Sequence, residues 1–290
     1  MGTTAKKATQ QRTVSIGHTP DMDDAFMFYG ISTGEIDLRG FKIDHVIEDI
    51  QTLNQRALKA DLDMTAISAA SYPVLSKDYW IVSVGSSIGQ NYGPLVISKE
   101  PYSPEDLKGR RIAIPGKHTT ATMLLRLAVS DFEPVEMPFS EIPQAVIRKD
   151  VVAGLVIHEW QLIYRDAGLL PVIDLGTWWQ QRTHLPLPLG LNVIKKKLKR
   201  TTAQQVATVF RDSILYGFAH QDQAVAYAMK YGRGIDPNRA RQFIGMYVNE
   251  DSLTLSKPCR EALKELYGQA HEAGLIPKVP RLNIIEPLKK

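Results

Sequence analysis

The chain has 290 residues, of which 44% are hydrophobic and 23% charged, and its 35 Lys and Arg against 31 Asp and Glu leave a formal charge of +4. That composition excludes a disordered chain and is too mildly basic to imply a nucleic-acid partner. No apolar run approaches the ~20 residues of a spanning helix, so a membrane-embedded protein is excluded as well, and the length suits one large domain or two lobes.

Residues 1–13 are polar, carry Lys6, Lys7 and Arg12, and lead into no apolar stretch, so a disordered tail is expected rather than a secretory signal. Residues 14–17 read as the first strand. The segment His18-Thr19-Pro20-Asp21-Met22-Asp23-Asp24-Ala25-Phe26 comes next, and its acids suit a helix start, where they complement the dipole. A metal reading would combine His18, Asp21, Asp23 and Asp24, but the glycine and closing glutamate of a calcium loop are missing, and no metal is expected. Residues 41–47 form the next strand, and Asp49 caps a helix with Leu53 and Ala57 on one face. Met64-Thr65-Ala66-Ile67-Ser68 ends a strand in small residues; Ser68 either donates to a ligand or caps the next helix.

Strands are then expected over residues 80–84, 93–98 and 111–115. The last leads into Pro115-Gly116-Lys117-His118-Thr119-Thr120-Ala121, a glycine turn and a helix start. Such a start carries unpaired N–H groups and partial positive charge, a seat for a carboxylate or phosphate, and Thr119 and Thr120 add hydroxyls. The spacing is not a Walker loop, and an N-cap without any ligand would look the same. Ser140 is expected to cap a helix with Val146 inward.

The run over residues 151–157 is apolar and β-branched, as in a strand covered on both faces, and it ends at His158-Glu159. In open α/β sheets the carboxyl ends of strands form the ligand crevice. A histidine there either serves the crevice or bonds a neighbouring carbonyl; Glu159, if the strand continues, points the other way. After strands over 171–175 and 191–194, Trp178 and Trp179 either stack on a flat ligand or seal an interface. The basic run 195–200 reads as a solvated turn. From Thr202 onward only helices are expected: one with Val206, Val209, Phe210 and Ser213, one capped at Asp236-Pro237, and one from Ser256 to Gly274. Cys259 has no partner for a disulfide or a thiolate metal site, which, with the missing signal, points to the cytoplasm.

Strands alternating with helices argue for an α/β protein with mainly parallel sheets. Two extended segments, 93–98 and 188–194, are opened by Gly or Pro and lie about 95 residues apart, the size of a small domain. They read as crossings between two lobes, or as edge strands of one sheet.

Several segments in order closely resemble the 1,4-dihydroxy-6-naphthoate synthase family of the futalosine route to menaquinone. They include Val46-Ile47-Glu48-Asp49-Ile50-Gln51-Thr52-Leu53-Asn54, Gly93-Pro94-Leu95-Val96, the segment 115–121 and Ile157-His158-Glu159. Asp174-Leu175-Gly176-Thr177-Trp178-Trp179, Arg182-Thr183, the segment 185–190 and Tyr247-Val248-Asn249 complete the set. The resemblance runs from about Val14 to Pro280. It implies a two-lobed α/β fold like type 2 periplasmic binding proteins, with two hinge strands and an interlobe cleft. Residues 14–94 and 193–290 would form one lobe and 95–192 the other.

It also implies a lyase that converts cyclic dehypoxanthine futalosine to 1,4-dihydroxy-6-naphthoate and dihydroxyacetone. His158 would be the catalytic base, and Ala66, Ile67, Ser68, Thr119 and Thr120 would bind the small-molecule substrate. No metal or organic cofactor is implied, nor any nucleic-acid or membrane partner. The chain departs from the family where Ser-Pro-Cys-Pro-Asn-Asp-Thr-Phe is replaced by the segment 19–26, and where Thr-Lys-Leu-Ser is replaced by Thr65-Ala66-Ile67-Ser68. A solute-binding protein and a chorismate dehydratase share the implied architecture and stand as alternatives.

Overall fold

β-branched and aromatic runs between Gly, Pro and Asp breaks set eleven strands among the described residues, 11–232 and 234–289, of the computed structural model. They are β1 (Arg12–His18), β2 (Phe41–Ile47), β3 (Met64–Ser68), β4 (Tyr79–Gly89), β5 (Leu95–Ser98) and β6 (Arg111–Ile114), then β7 (Glu133–Glu136), β8 (Ala153–Val156), β9 (Leu170–Asp174), β10 (Leu187–Lys195) and β11 (Ile284–Ile285). Most of the tail expected over residues 1–13 lies outside the described residues; Arg12 and Thr13 already belong to β1.

One sheet has six strands in the order β11-β4-β10-β3-β1-β2, and a second has five in the order β7-β6-β8-β5-β9. The sheets are mixed, not mainly parallel. β1 is parallel to both β2 and β3, and β6 to both β7 and β8, as strand–helix–strand units require. β10 is antiparallel to β3 and β4, and β5 to β8 and β9. These two strands carry the segments read from the sequence as crossings, and each enters its sheet against the direction of the local units.

Helices cover the faces. Asp49 caps Ile50–Leu58 by accepting from the Gln51 and Thr52 amides, and Asp236 caps Pro237–Tyr247 in the same way. Ser256 caps Lys257–Glu272, whose buried stripe includes Leu263, Leu266 and Ala270. The 20-residue helix Arg200–Ala219 buries Val206, Val209, Phe210 and Ser213, and the Ser213 hydroxyl accepts from the Ile31 amide and donates to the Met27 carbonyl. Ser140 is not a cap: Ile142–Ile147 starts after Glu141, with Pro143 fixing its first turn and Val146 buried. β7 escapes notice because Pro134 sits within it, tolerated on an exposed edge, and β11 is too short to show alternation.

At the end of β1, His18 is buried and stacked on Phe28. Its Nδ1 donates to the Thr19 carbonyl at 3.2 Å, so its Nε2 accepts from His45 Nδ1 at 3.0 Å. Burial lowers the His18 pKa from 6.5 to about 4, against the Thr19 carbonyl that favours the charged ring. His45 is lowered to about 4 as well, by burial and then by His18. The unfolded chain takes up these protons near pH 6.5 and the folded one only near pH 4, so stability is present above pH 6.5 and lost as pH falls towards 4. His18 alone accounts for about 3 kcal/mol of that loss. Urea unfolding at a series of pH values is expected to show a smaller loss across this window in His18→Gln than in the parent.

Candidate active site

The carboxyl end of β1, the tips of β3 and β8, the middle of β4 and β10, and the helix start after β6 all open onto one cleft of about 730 Å³, open solvent at its mouth included. From the six-stranded sheet it is lined by Thr19, Asp23 and Asp24, by Ala66, Ile67 and Ser68, and by Gly85, Ser87 and the Leu189–Asn192 stretch of β10. From the other side come Thr119, Thr120, Ala121, Ile157, His158 and Gln161; Phe243 and Tyr247 close one end. The expected base and substrate-binding residues, His158, Ala66, Ile67, Ser68, Thr119 and Thr120, all lie on this lining. The two tryptophans do not. Trp179 is fully buried with Nε1 on the Pro186 carbonyl, and Trp178 carries Arg182 over its ring.

β8 stops at Val156, two residues short of His158. His158 itself adopts φ 57°, the left-handed region that side chains other than Asn, Asp and Gly enter at a cost. That turn lifts the ring off the strand and into the cleft, edge-on to Phe139 at 4.9 Å. It also removes the strand alternation expected to separate His158 from Glu159; Glu159 is buried at the start of the short helix Trp160–Ile163. His158 Nε2 lies 3.3 Å from Asp21 Oδ2, at ion-pair distance though off hydrogen-bond alignment.

Asp21 is the N-cap of Met22–Met27, a helix buried along its whole length, so Asp23 and Asp24 are buried too. Asp24 Oδ2 accepts from the Thr19 amide at 2.6 Å and the Thr19 hydroxyl at 2.8 Å. Burial nonetheless pushes its carboxyl up to about 6, with those two bonds opposing and Asp21 adding to the rise. Asp23 is pushed higher, to about 7, by burial, then by Asp24 and Asp21, with His158 pulling the other way. Its Oδ2 has one long contact, 3.4 Å from the Ser87 hydroxyl, and its Oδ1 has none. The candidate metal set of His18, Asp21, Asp23 and Asp24 does not converge: His18 faces His45, Asp21 faces His158, and Asp24 is held by Thr19.

The helix Thr120–Ala128 begins after Gly116, whose φ of 146° and approach to Gln51 leave no room for a side chain: a Cβ would stand 2.4 Å from Gln51 Oε1. That same Oε1 accepts from the His118 amide at 3.2 Å, and Gln51 Nε2 donates to Glu136 at 3.1 Å. Thr119 caps the helix by accepting from the Thr122 amide, and its hydroxyl lies 2.9 Å from the Gly116 carbonyl. The Thr120 hydroxyl donates to the Leu189 carbonyl at 2.7 Å and accepts from the Ala70 amide at 3.1 Å. Both hydroxyls are therefore engaged within the protein rather than offered to a ligand. The helix offers the amides of its first turn instead, those of Thr120 and Ala121, which no helical carbonyl can reach.

Ser68 differs. Asn54 grips it twice, with Oδ1 accepting from the Ser68 amide at 2.8 Å and Nδ2 donating to the Ser68 hydroxyl oxygen at 3.1 Å. The hydroxyl proton stays available to the cleft. Asn54 is fully buried and was not singled out by the sequence, although it sits in the 46–54 motif. Gln161 was missed as well: its Oε1 accepts from Tyr247 Oη at 2.8 Å across the end of the cleft. Asn192 donates to the Gly85 carbonyl at 2.8 Å, and its Oδ1 is buried without a hydrogen bond.

The sequence profile of the menaquinone biosynthesis family matches residues 14–272. A 1,4-dihydroxy-6-naphthoate synthase of Thermus thermophilus is 34% identical over 266 residues, covering 92% of this chain and 97% of that protein. A crystal structure of an Archaeoglobus fulgidus protein superposes with a TM-score of 0.88 at 48% identity, over 91% of this chain and 98% of that one. The alkanesulfonate-binding protein of Xanthomonas axonopodis pv. citri, solved with bound MOPS, gives a TM-score of 0.73 at 14% identity, over 94% of this chain and 98% of that one. That last likeness is one of fold, the two-sheet architecture of periplasmic binding proteins. Among the described residues no helix is long and apolar enough to cross a membrane.

The double grip on Ser68 has a measurable worth. Asn54→Ala strands a buried amide and a buried hydroxyl, which should lower stability by about 3 kcal/mol in denaturant unfolding.

Proposed function

The chain belongs to the menaquinone biosynthesis family, and from that premise we propose that it is the lyase converting cyclic dehypoxanthine futalosine to 1,4-dihydroxy-6-naphthoate and dihydroxyacetone. The observation that carries this reading is the His158–Asp21 pair, 3.3 Å apart at the head of a cleft built from strand ends. Asp21 beside Nε2 orients the imidazole. Nδ1 is then the nitrogen that meets the substrate. His158 takes a proton from the substrate carbon skeleton, the electron pair released drives carbon–carbon cleavage, and the same proton is returned to the products. No electrons are gained or lost overall.

Binding would fall to the opposite wall. The amides at the start of Thr120–Ala128 carry the positive end of a helix dipole and suit a carboxylate, which the naphthoate product has by name. Ser68, held by Asn54, donates to a hydroxyl or carbonyl, while Ala66 and Ile67 leave space for the flat ring system. Thr119 and Thr120 act by shaping the helix start rather than by direct donation. Closure of the cleft, with Tyr247 on Gln161 and Arg239 on Asp166, keeps water from the reacting carbons. We place the enzyme in the cytoplasm, in keeping with its one unpaired and buried cysteine.

Purified protein supplied separately with cyclic dehypoxanthine futalosine and with chorismate should release dihydroxyacetone from the first and leave the second unchanged. Dehydration of chorismate alone, or release of nothing from either, overturns the reading. His158→Asn keeps the left-handed turn, which asparagine tolerates, and removes the base. It should lower kcat by about 10² to 10⁴-fold with an unchanged thermal midpoint.

A further inference from the structure

The acidic wall facing the substrate poses a problem. Asp21, Asp23 and Asp24 are all buried and close together, and two of the three belong to the lining of a cleft proposed to receive a carboxylate. Three ionised groups there would repel it. The geometry says which of them gives way. Asp24 has two donors on one oxygen, the Thr19 amide and hydroxyl, and these oppose the rise that burial imposes, so it ionises more readily than Asp23. Asp21 faces His158. Asp23, more than nine-tenths buried, has an Oδ1 with no hydrogen bond and an Oδ2 with only the long Ser87 contact.

We propose that Asp23 is a specificity-determining residue: it meets the substrate as a neutral acid and donates a hydrogen bond to a carboxylate or carbonyl oxygen. The inference rests on the lyase reading for the identity of that substrate, but not for the protonation of Asp23. A buried carboxyl kept protonated so that it can donate is a known physical device where burial and like charges act together. The titratable groups facing Asp23, among the described residues, are Asp21 and Asp24 from its own helix, His158 from the turn after β8, and Tyr247 from Pro237–Tyr247. Burial, then the Asp24 and Asp21 charges, favour the proton on Asp23; His158 and the Asp24 backbone amide oppose it and are outweighed.

The neutral form prevails below about pH 7 and the ionised form above it, so substrate affinity should fall as pH rises through that value. KM measured from about pH 6 to pH 9 should be level at first and then climb about tenfold per pH unit. In Asp23→Asn, whose amide donates at every pH, the climb should vanish; in Asp23→Ala, KM should be raised throughout. A climb that persists in Asp23→Asn, or a KM in the parent that does not move with pH, overturns the proposal.

Infrared difference spectra of parent minus Asp23→Asn supply a readout that needs no substrate. A protonated-carboxyl carbonyl band should be present below about pH 7 and disappear above it. Absence of the band at every pH refutes the neutral acid whatever the turnover. Presence of the band in a protein that does not act on the futalosine substrate would instead remove the lyase reading and leave the donor in place.

Discussion

One hydroxyl oxygen, that of Thr120, ties together three segments on which the cleft depends. It takes the amide of Ala70, just past β3, and gives its proton to the carbonyl of Leu189 within β10, while its own helix comes after β6 of the other sheet. A buried backbone group left without a partner costs about 1–3 kcal/mol, and losing this hydroxyl would strand two. The neighbouring His118 is fastened to the same wall, its carbonyl accepting from the Ser71 hydroxyl at 3.0 Å and its amide donating to Gln51. The two sheets therefore meet through specific polar contacts at one rim. Apolar packing does the rest of the joining, in a shared core that runs from Ile67 and Ile81 to Ile112 and Leu155.

Unfavourable local choices gather at the mouth of this cleft. His158 sits in the left-handed region, Asp23 keeps an oxygen without a donor, and Asn192 keeps another. The helix Met22–Met27 buries two acids within one turn. None of these is repeated in the apolar cores, where Val, Ile and Leu meet at full burial. Left-handed residues also stand at exposed turns such as Arg39 and Lys149, and Ser83 and Ser86 bury hydroxyls without partners, but at the cleft several such features meet on one lining, where they prepare the site and the surrounding core supplies the stability that offsets them.

Much of this was legible in the residues. The periodicity of the helices after Thr202, the caps at Asp49, Asp236 and Ser256, and the strand and helix flanking Gly116 arise from local patterns that burial does not overrule. His158 stood out because an ionisable group ends an apolar run. What the sequence concealed is pairing between distant positions. Asn54 looks like any polar residue of an amphipathic helix until β3 brings Ser68 against it, and Asp21 looks like a simple cap until β8 delivers His158. The threonines were recognised as a helix start, yet the engagement of their hydroxyls could not be read without the carbonyls of Gly116 and Leu189 in place. Strand direction was hidden for the same reason: nothing local in β5 or β10 reveals that their neighbours run the other way.

The position of β10 constrains how the protein is made. β3 and β4 are consecutive in the chain but never pair, because β10 lies between them. On a ribosome both would emerge and wait, each with an open hydrogen-bonding edge, until the whole five-stranded sheet had been synthesised and residue 195 had cleared the exit tunnel. The wall of the cleft that carries Leu189 to Asn192 is thus the last part of the six-stranded sheet, apart from the short β11, to be installed. A nascent chain stalled before that point has half a sheet with an unfilled slot and no pocket.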